Sequence, residues 1–219
     1  MDDKPKKRKR TSGVLRDKDR TKAKMVQAVG KVLLKKGYTG LNASAIAKEA
    51  GIDKSLVWTY FGSLDNLVEE YILQRDFLNT VAKNDVLSLL ESTNGIPKEA
   101  IYGILHNQLE TLLKDKVLQK IIHWEIGESK PFLRNLADKR EELGEAFFEV
   151  VEPAYKNANV DLRGILAVLI AGVYYLALHG KTNGSLFCGI DINEPAGEQR
   201  IKEAIYTVIE MAHQKAQLD

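Results

Sequence analysis

Apolar positions along the chain recur at intervals of three and four and nowhere alternate strictly, so the pattern predicts helices throughout and no strand. From about Lys18, the residues Met25, Val29, Val32 and Leu33 form one stripe, while Lys22, Lys24, Lys31 and Lys35 fall on other faces. Gly37 supplies a C-cap that ends this helix. In the next stretch, Leu41–Leu67, Asn42 is placed to cap a short helix that buries Ile46, Ala47 and Ala50, and Gly51 permits a tight turn. Asp53 caps a second short helix running to about Phe61, with Val57 and Phe61 inward, and Gly62 breaks it. Ser63 caps a longer helix with Leu64, Leu67, Val68, Tyr71 and Ile72 on one face. Helices are predicted at roughly 64–92, 97–113, 116–126, 131–156, 161–181 and 196–217, separated by glycine, proline and asparagine. The expectation is an all-α protein: a basic arm over 1–17, a three-helix domain over 18–63 and a larger helical domain over 64–219.

Composition adds little, with one exception. The chain has 219 residues, 44% hydrophobic and 28% charged, enough for a sizeable core. The single cysteine, Cys188, excludes a disulfide framework and any multi-cysteine zinc site, and suits a reducing compartment. The exception is charge. Residues 1–60 carry 16 Lys and Arg against 6 Asp and Glu, whereas residues 61–219 carry 16 against 24, so a net of +2 hides a basic end on an acidic body. Such a division implies two regions with different partners.

The first 24 residues hold no apolar run of a secretory signal, and the longest apolar run, Ile165–Leu178, is 14 residues, short of the roughly 20 that span a bilayer. A soluble, cytoplasmic protein with no membrane partner is expected. Residues Met1 to about Gly13, which include the basic run Lys4–Arg10, are expected to be disordered without a partner, because they offer nothing to offset the entropy of ordering.

Two short helices joined by a Gly-containing turn, after a longer helix, make a helix-turn-helix pattern, whose second helix enters the major groove of DNA. Lys54, Ser55, Trp58, Thr59 and Tyr60 supply polar or flat groups on the exposed side of that second helix. Lys48, Lys54, Lys18, Arg20, Lys22 and Lys24 are placed to meet phosphates. The sequence Ile46–Ile52 (IAKEAGI), the aromatic-Thr-Tyr-Phe run Trp58–Phe61 and the segment Ser63–Leu67 (SLDNL) resemble the tetracycline-repressor (TetR) family of bacterial regulators over about Met25–Leu67. The rest of the chain is similar to that family in layout only.

That resemblance implies a homodimer whose N-terminal domains bind a palindromic operator in double-stranded DNA. It implies a larger domain that holds a small-molecule effector and dimerises through its last two helices, with ligand binding releasing the DNA. Carried over by position, the DNA-contacting candidates are Asn42 and Ser44, then Lys54, Ser55, Trp58, Thr59 and Tyr60, with Lys22 and Lys24 for phosphates. Two positions depart from the family pattern. Trp58 stands where a Tyr is usual, exchanging a hydroxyl for an indole N–H, and Leu64 stands where a Lys is usual. Both changes weaken nonspecific attraction, and the basic arm is expected to compensate by following phosphates or entering a minor groove. A constitutive or architectural DNA-binding protein without a ligand is the alternative function.

Catalytic and metal chemistry find no support. His123-Trp124-Glu125 lacks the cysteine pair of a zinc deaminase, and no nucleophile–base arrangement is defensible, so no enzyme and no cofactor are expected. Glu141, Glu142, Glu145 and Glu149, beside Lys139 and Arg140, read as a solvated helix face. Tyr102, His106, His123, Trp124, Phe147, Tyr174 and Tyr175 are the candidates for lining an effector pocket. The helix over 161–181 is too apolar for a surface helix. With the stripe Ile201, Ala204, Ile205, Val208, Ile209 and Ala212 in 196–217, it is expected to form a four-helix dimer interface.

Overall fold

A computed structural model describes the backbone of residues 12–75 and 98–218, and side chains from residue 17 onward. The described residues are helical, with no strand among them beyond an isolated bridge between Phe187 and Ile190. The chain divides into two compact units, Met1–Arg75 and Asp76–Asp219.

The first unit contains α1 (Ser12–Lys36), a single 3-10 turn (Tyr38–Gly40), α2 (Ala43–Ala50), α3 (Ser55–Phe61) and α4 (Leu64–Gln74). Its core is Met25, Val29, Ile46, Val57 and Leu67, all fully buried, with Val32, Leu33, Val68 and Ile72 around them. Two boundaries differ from the sequence reading. Helix α1 begins at Ser12 rather than near Lys18. Once the buried stripe has nucleated the helix, extending it through good helix formers such as Leu15, Arg16 and Lys18 costs little. Of the expected arm, residues 1–11 lie outside the described residues. Helix α4 belongs to the first unit, because Leu67, Val68, Tyr71 and Ile72 are buried there and the helix packs on α1 and α3. The remainder of the expected 64–92 segment falls mostly outside the described residues.

Gly30 on α1 makes room for the end of the Tyr71 side chain from α4: a Cβ built there would overlap its hydroxyl and ring.

The second unit contains α5 (Lys98–Lys114), α6 (Lys116–Gly127), α7 (Pro131–Asn157), α8 (Leu162–Thr182) and α9 (Pro195–Lys215), within a residue or two of the predicted spans. Helix α5 is central, packing on α6, α8 and α9 through Ile101, Leu105, Leu109 and Leu112. Tyr155 is fully buried, and its hydroxyl lies 2.9 Å from His213 Nδ1; burial pushes the phenol up to about 12.

Charged side chains clasp the helices from outside. Lys202 on α9 reaches Glu110 on α5 at 2.7 Å and Glu198 at 2.7 Å, and Lys98 reaches Glu210 at 3.3 Å. Hydrogen bonds from Lys114 and Lys202 hold the Glu110 carboxyl down at about 2. Arg163 at the start of α8 binds Glu145 with both terminal nitrogens at 2.6 and 2.9 Å, binds Glu152 at 2.8 Å and lies over the Phe148 ring. Glu145 is therefore engaged with α8 while remaining exposed to solvent.

Helix α8 has 21 residues and is long and apolar enough, by length and composition, to cross a membrane; no other described helix is. The 14-residue apolar run understated it, because the helix extends past the run at both ends. It packs on α5, α6 and α7, burying Leu162, Leu166, Val173, Ala177 and Leu178.

Two predictions follow from this packing. Gly30→Ala is expected to lower stability by about 1–3 kcal/mol, the overlap with a buried ring exceeding the roughly 1 kcal/mol gain in helix propensity. Part of the loss should return in a Tyr71→Phe background, read by denaturant unfolding. Glu110 has a folded-state pKa below its ordinary value, so its contribution is present above about pH 4.5 and is lost as pH falls toward 2. Glu110→Gln should therefore lower Tm by about 1–3 °C at pH 7, with the difference closing as the pH falls through that window.

Candidate nucleic-acid interface

The turn between α2 and α3 is set by local hydrogen bonds that the sequence specifies. Asn42 Oδ1 accepts from the Ala45 amide at 2.9 Å and so caps α2, while Gly51, at φ 67 and ψ 41, ends it in the left-handed region. Asp53 Oδ1 accepts from the Ser55 amide at 2.7 Å and from the Ser55 hydroxyl at 2.6 Å, which starts α3. These bonds hold the Asp53 carboxyl below the usual range. Gly62 ends α3, and Ser63 Oγ accepts from the Asn66 amide at 3.0 Å to start α4.

Helix α3 has seven residues, and Val57 is its buried anchor. With that side chain inside, Lys54, Ser55, Trp58 and Thr59 lie on one outward face, and Trp58 is 52% exposed. An α-helix with its side chains is about 10–12 Å across, which fits a major groove roughly 12 Å wide. Tyr60 and Phe61 turn toward the start of α1, with Lys18 Nζ and Lys22 Nζ each 5.7 Å from the Tyr60 and Phe61 ring centres respectively. The structure thus brings two α1 lysines beside α3. Lys24 is exposed but two residues further round the helix, on a different face from Lys22. Ser44 is exposed at the start of α2. Glu49 points instead to Lys35 at 2.8 Å, a hydrogen bond that lowers its pKa and takes this carboxylate out of the unit's free negative charge.

The local bonds change what the predicted polar contacts have to offer. The Ser55 hydroxyl donates to Asp53, the Thr59 hydroxyl donates to the Ser55 carbonyl at 3.2 Å, and Asn42 is bound at both ends of its amide, with Nδ2 donating to the Gly40 carbonyl at 3.3 Å.

In the second unit, Phe147 belongs to the main apolar cluster and Tyr102 and Tyr174 pack against it, while the other pocket candidates have other surroundings. Tyr102 on α5 packs edge-on against Tyr206 of α9 and beside His106, which faces Glu110 at 3.6 Å. Trp124 is buried edge-on to Phe132 and donates to Glu128 at 3.2 Å; Phe147 is buried beside Phe148. His123 is exposed, and so is Tyr175, which stacks on His179 and meets Phe187 edge-on. Tyr174 accepts from Gln108 at 2.9 Å, and burial raises its pKa.

Near Tyr174 is an ion pair, one member of which, Arg140, was expected beside a solvated helix face. Arg140 is largely buried and binds Glu125 with two bonds, at 3.1 and 2.5 Å. The signal was available, because Arg140 continues the stripe Leu133, Leu136, Phe147 and Val151, all of which are buried.

Helices α8 and α9 keep an apolar outer face. On α8, Ala167, Val168, Ala171 and Tyr175 are exposed, Val168 by 73%; on α9, Ala204, Val208 and Met211 are exposed, Met211 by 62%. The predicted α9 stripe therefore splits, with Ile201, Ile205, Ile209 and Ala212 buried within the chain and Ala204 and Val208 outward. A shallow depression of about 430 Å³ lies on this face, lined by Asp161, Gly164, Ile165, Val168, Leu169 and Val208.

Residues 26–71, from the C-terminal part of α1 through most of α4, match the family of bacterial regulatory proteins, tetR family. No curated protein matches the chain. Among solved structures, a putative fatty acid metabolism regulator from Clostridium perfringens superposes with a TM-score of 0.61 at 15% identity, covering 85% of this chain and 97% of that one. The regulator FadR from Bacillus subtilis, in complex with stearoyl-CoA, gives 0.56 at 15% identity, with 87% and 96% covered. NalD, the secondary repressor of the MexAB-OprM multidrug efflux pump in Pseudomonas aeruginosa, gives 0.56 at 19% identity, with 87% and 97% covered. The family match thus covers the helix-turn-helix of the first unit, and the helical fold of the described residues is the one these solved regulators share.

Proposed function

We propose that the protein is a repressor that binds a palindromic operator as a homodimer and leaves it when a small molecule occupies the second unit. The observation that carries the reading is the outward apolar face of α8 and α9. A contiguous row of Val168, Ala171, Tyr175, Val208 and Met211 in water is costly, and a symmetric partner presenting the same row removes the cost. The pairing expected is a four-helix bundle from α8 and α9 of each copy. Two reading helices held about 34–36 Å apart then meet successive major grooves on the same side of the duplex, which one seven-residue helix cannot do.

The effector reading rests on the polar groups held inside the second unit. Gln108 with Tyr174, Arg140 with Glu125 and Tyr155 with His213 are hydrogen-bonded among helices whose inner faces are mostly apolar, and small-molecule sites join apolar walls to a few such groups. The stearoyl-CoA in the FadR complex is a ligand of a protein with this fold and supports the same reading. Moving a regulator from almost fully bound to almost fully released takes roughly 5.5 kcal/mol of differential effector affinity between its two states. The basic run Lys4–Arg10 is assigned to the DNA phosphates, compensating for the missing lysine at Leu64.

Two measurements test these assignments. Val168→Glu places a charge on a side chain already exposed in the single chain, so the fold should survive. Light scattering should show half the mass, and operator affinity should drop by about 100-fold or more as the second reading head is lost. A dimer of unchanged mass counts against the interface. Deleting residues 1–11 should weaken operator binding and flatten the slope of log K against log salt by about 2–4, since six basic side chains leave with the segment. An unchanged slope removes the arm from the interface.

A further inference from the structure

We propose that α3 reads its half-site chiefly through the 5-methyl groups of thymine rather than through paired hydrogen bonds to purines. The inference rests on the DNA-binding reading above and concerns which feature of the base pairs the helix distinguishes.

The residues available to α3 set the choice. Ser55–Phe61 contains no Arg, Asn, Gln, Asp or Glu, so the helix itself has no side chain able to bind guanine or adenine with two bonds, and no carboxylate to accept from cytosine. Lys54, just before it, is a flexible cation that can donate to guanine. The protons of the hydroxyls that might replace such readers are turned back on the protein, which leaves them only acceptor lone pairs for a base. Ser55 Oγ donates to Asp53 at 2.6 Å, and Thr59 Oγ1 donates to the Ser55 carbonyl at 3.2 Å. Asp53 accepts two bonds from Ser55 with one oxygen, and these bonds lower its pKa and fix it as the cap of the helix. At the start of α2, the Asn42 amide is tied to Ala45 and Gly40.

What remains on the outward face is apolar. Thr59 is exposed with its hydroxyl engaged, so its γ-methyl is the group it offers, and next to it stands the broad, 52% exposed indole of Trp58. In the major groove only thymine presents a methyl group, and contact with apolar side chains is the means by which that methyl is recognised. Burying it against Thr59 and Trp58 removes apolar surface of both partners from water, which a cytosine at the same place does not match. The indole N–H is left as a lone donor for a phosphate or for thymine O4.

The test starts from genomic fragments captured by the full-length protein, which define the operator. Each half-site thymine is then replaced by deoxyuridine, which keeps every hydrogen-bonding group and deletes only the methyl. At one or two positions per half-site, affinity is expected to fall by about 3- to 5-fold per methyl removed. That loss should persist in Thr59→Val, which keeps the γ-methyls, and shrink in Thr59→Ser and Trp58→Ala, with folding checked by circular dichroism. An operator bound equally well with deoxyuridine overturns the inference. So does a deoxyuridine loss of undiminished size in both Thr59→Ser and Trp58→Ala, since the methyl would then be read elsewhere. A protein that captures no DNA overturns the DNA-binding reading itself and the inference with it.

Discussion

A seven-residue helix is not stable by itself in water, and everything the first unit does depends on holding one such helix in a single orientation. The anchor is Val57. Its complete burial, in a small core with Met25, Ile46 and Leu67, decides which side of α3 is inside and therefore which side chains face outward. Rotating α3 by one residue would bring Trp58 toward the core and turn Val57 away. The caps at Asn42, Asp53 and Ser63 and the left-handed Gly51 remove the remaining freedom by ending each short helix at a defined residue.

The second unit solves a different problem, because its most apolar helix is not fully covered. One side of α8 completes the core with α5, α6 and α7, and the other side stays in contact with water. Charged residues are arranged away from that outer face: Arg163 is bound to Glu145 and Glu152 toward α7, and Lys202 and Lys98 bind carboxylates of α5 and α9. The ion pairs thus fasten helices within the chain and do not run across the exposed Val168, Val208 and Met211. Such pairs contribute little individually where they are exposed, and their value here is in fixing how neighbouring helices lie.

Most of the helices were legible in the sequence, because their periodicity, caps and breakers agree with one another. Asn42, Asp53, Ser63, Gly37 and Gly51 act where their chemistry predicts. The start of α1 was not legible from periodicity: no apolar stripe reaches the residues before Lys18, so the pattern gives no sign that the nucleated helix extends to Ser12. The candidate site was legible in its positions but not in its chemistry. Ser55 and Thr59 look like polar readers until their hydroxyls are seen to close onto Asp53 and the Ser55 carbonyl. Arg140 looks like part of a charged surface run, yet its register along α7 carries it inward to Glu125.

The sequence by itself determined an all-helical chain, its helix-turn-helix and the charge division between its ends, because these follow from spacing and composition within short windows. Only the tertiary structure decided which of two similar apolar stripes on α9 is core and which is surface. It sent Ile201, Ile205 and Ile209 inward and left Ala204, Val208 and Met211 outside. It also buried Trp124 against Phe132 and left Tyr175 exposed, although both are aromatic residues in apolar helices. The physical reason is the same in both cases. A helical period fixes the angle at which a side chain leaves its own helix, whereas burial and partners depend on which neighbour lies at that angle, and neighbours come from residues distant along the chain.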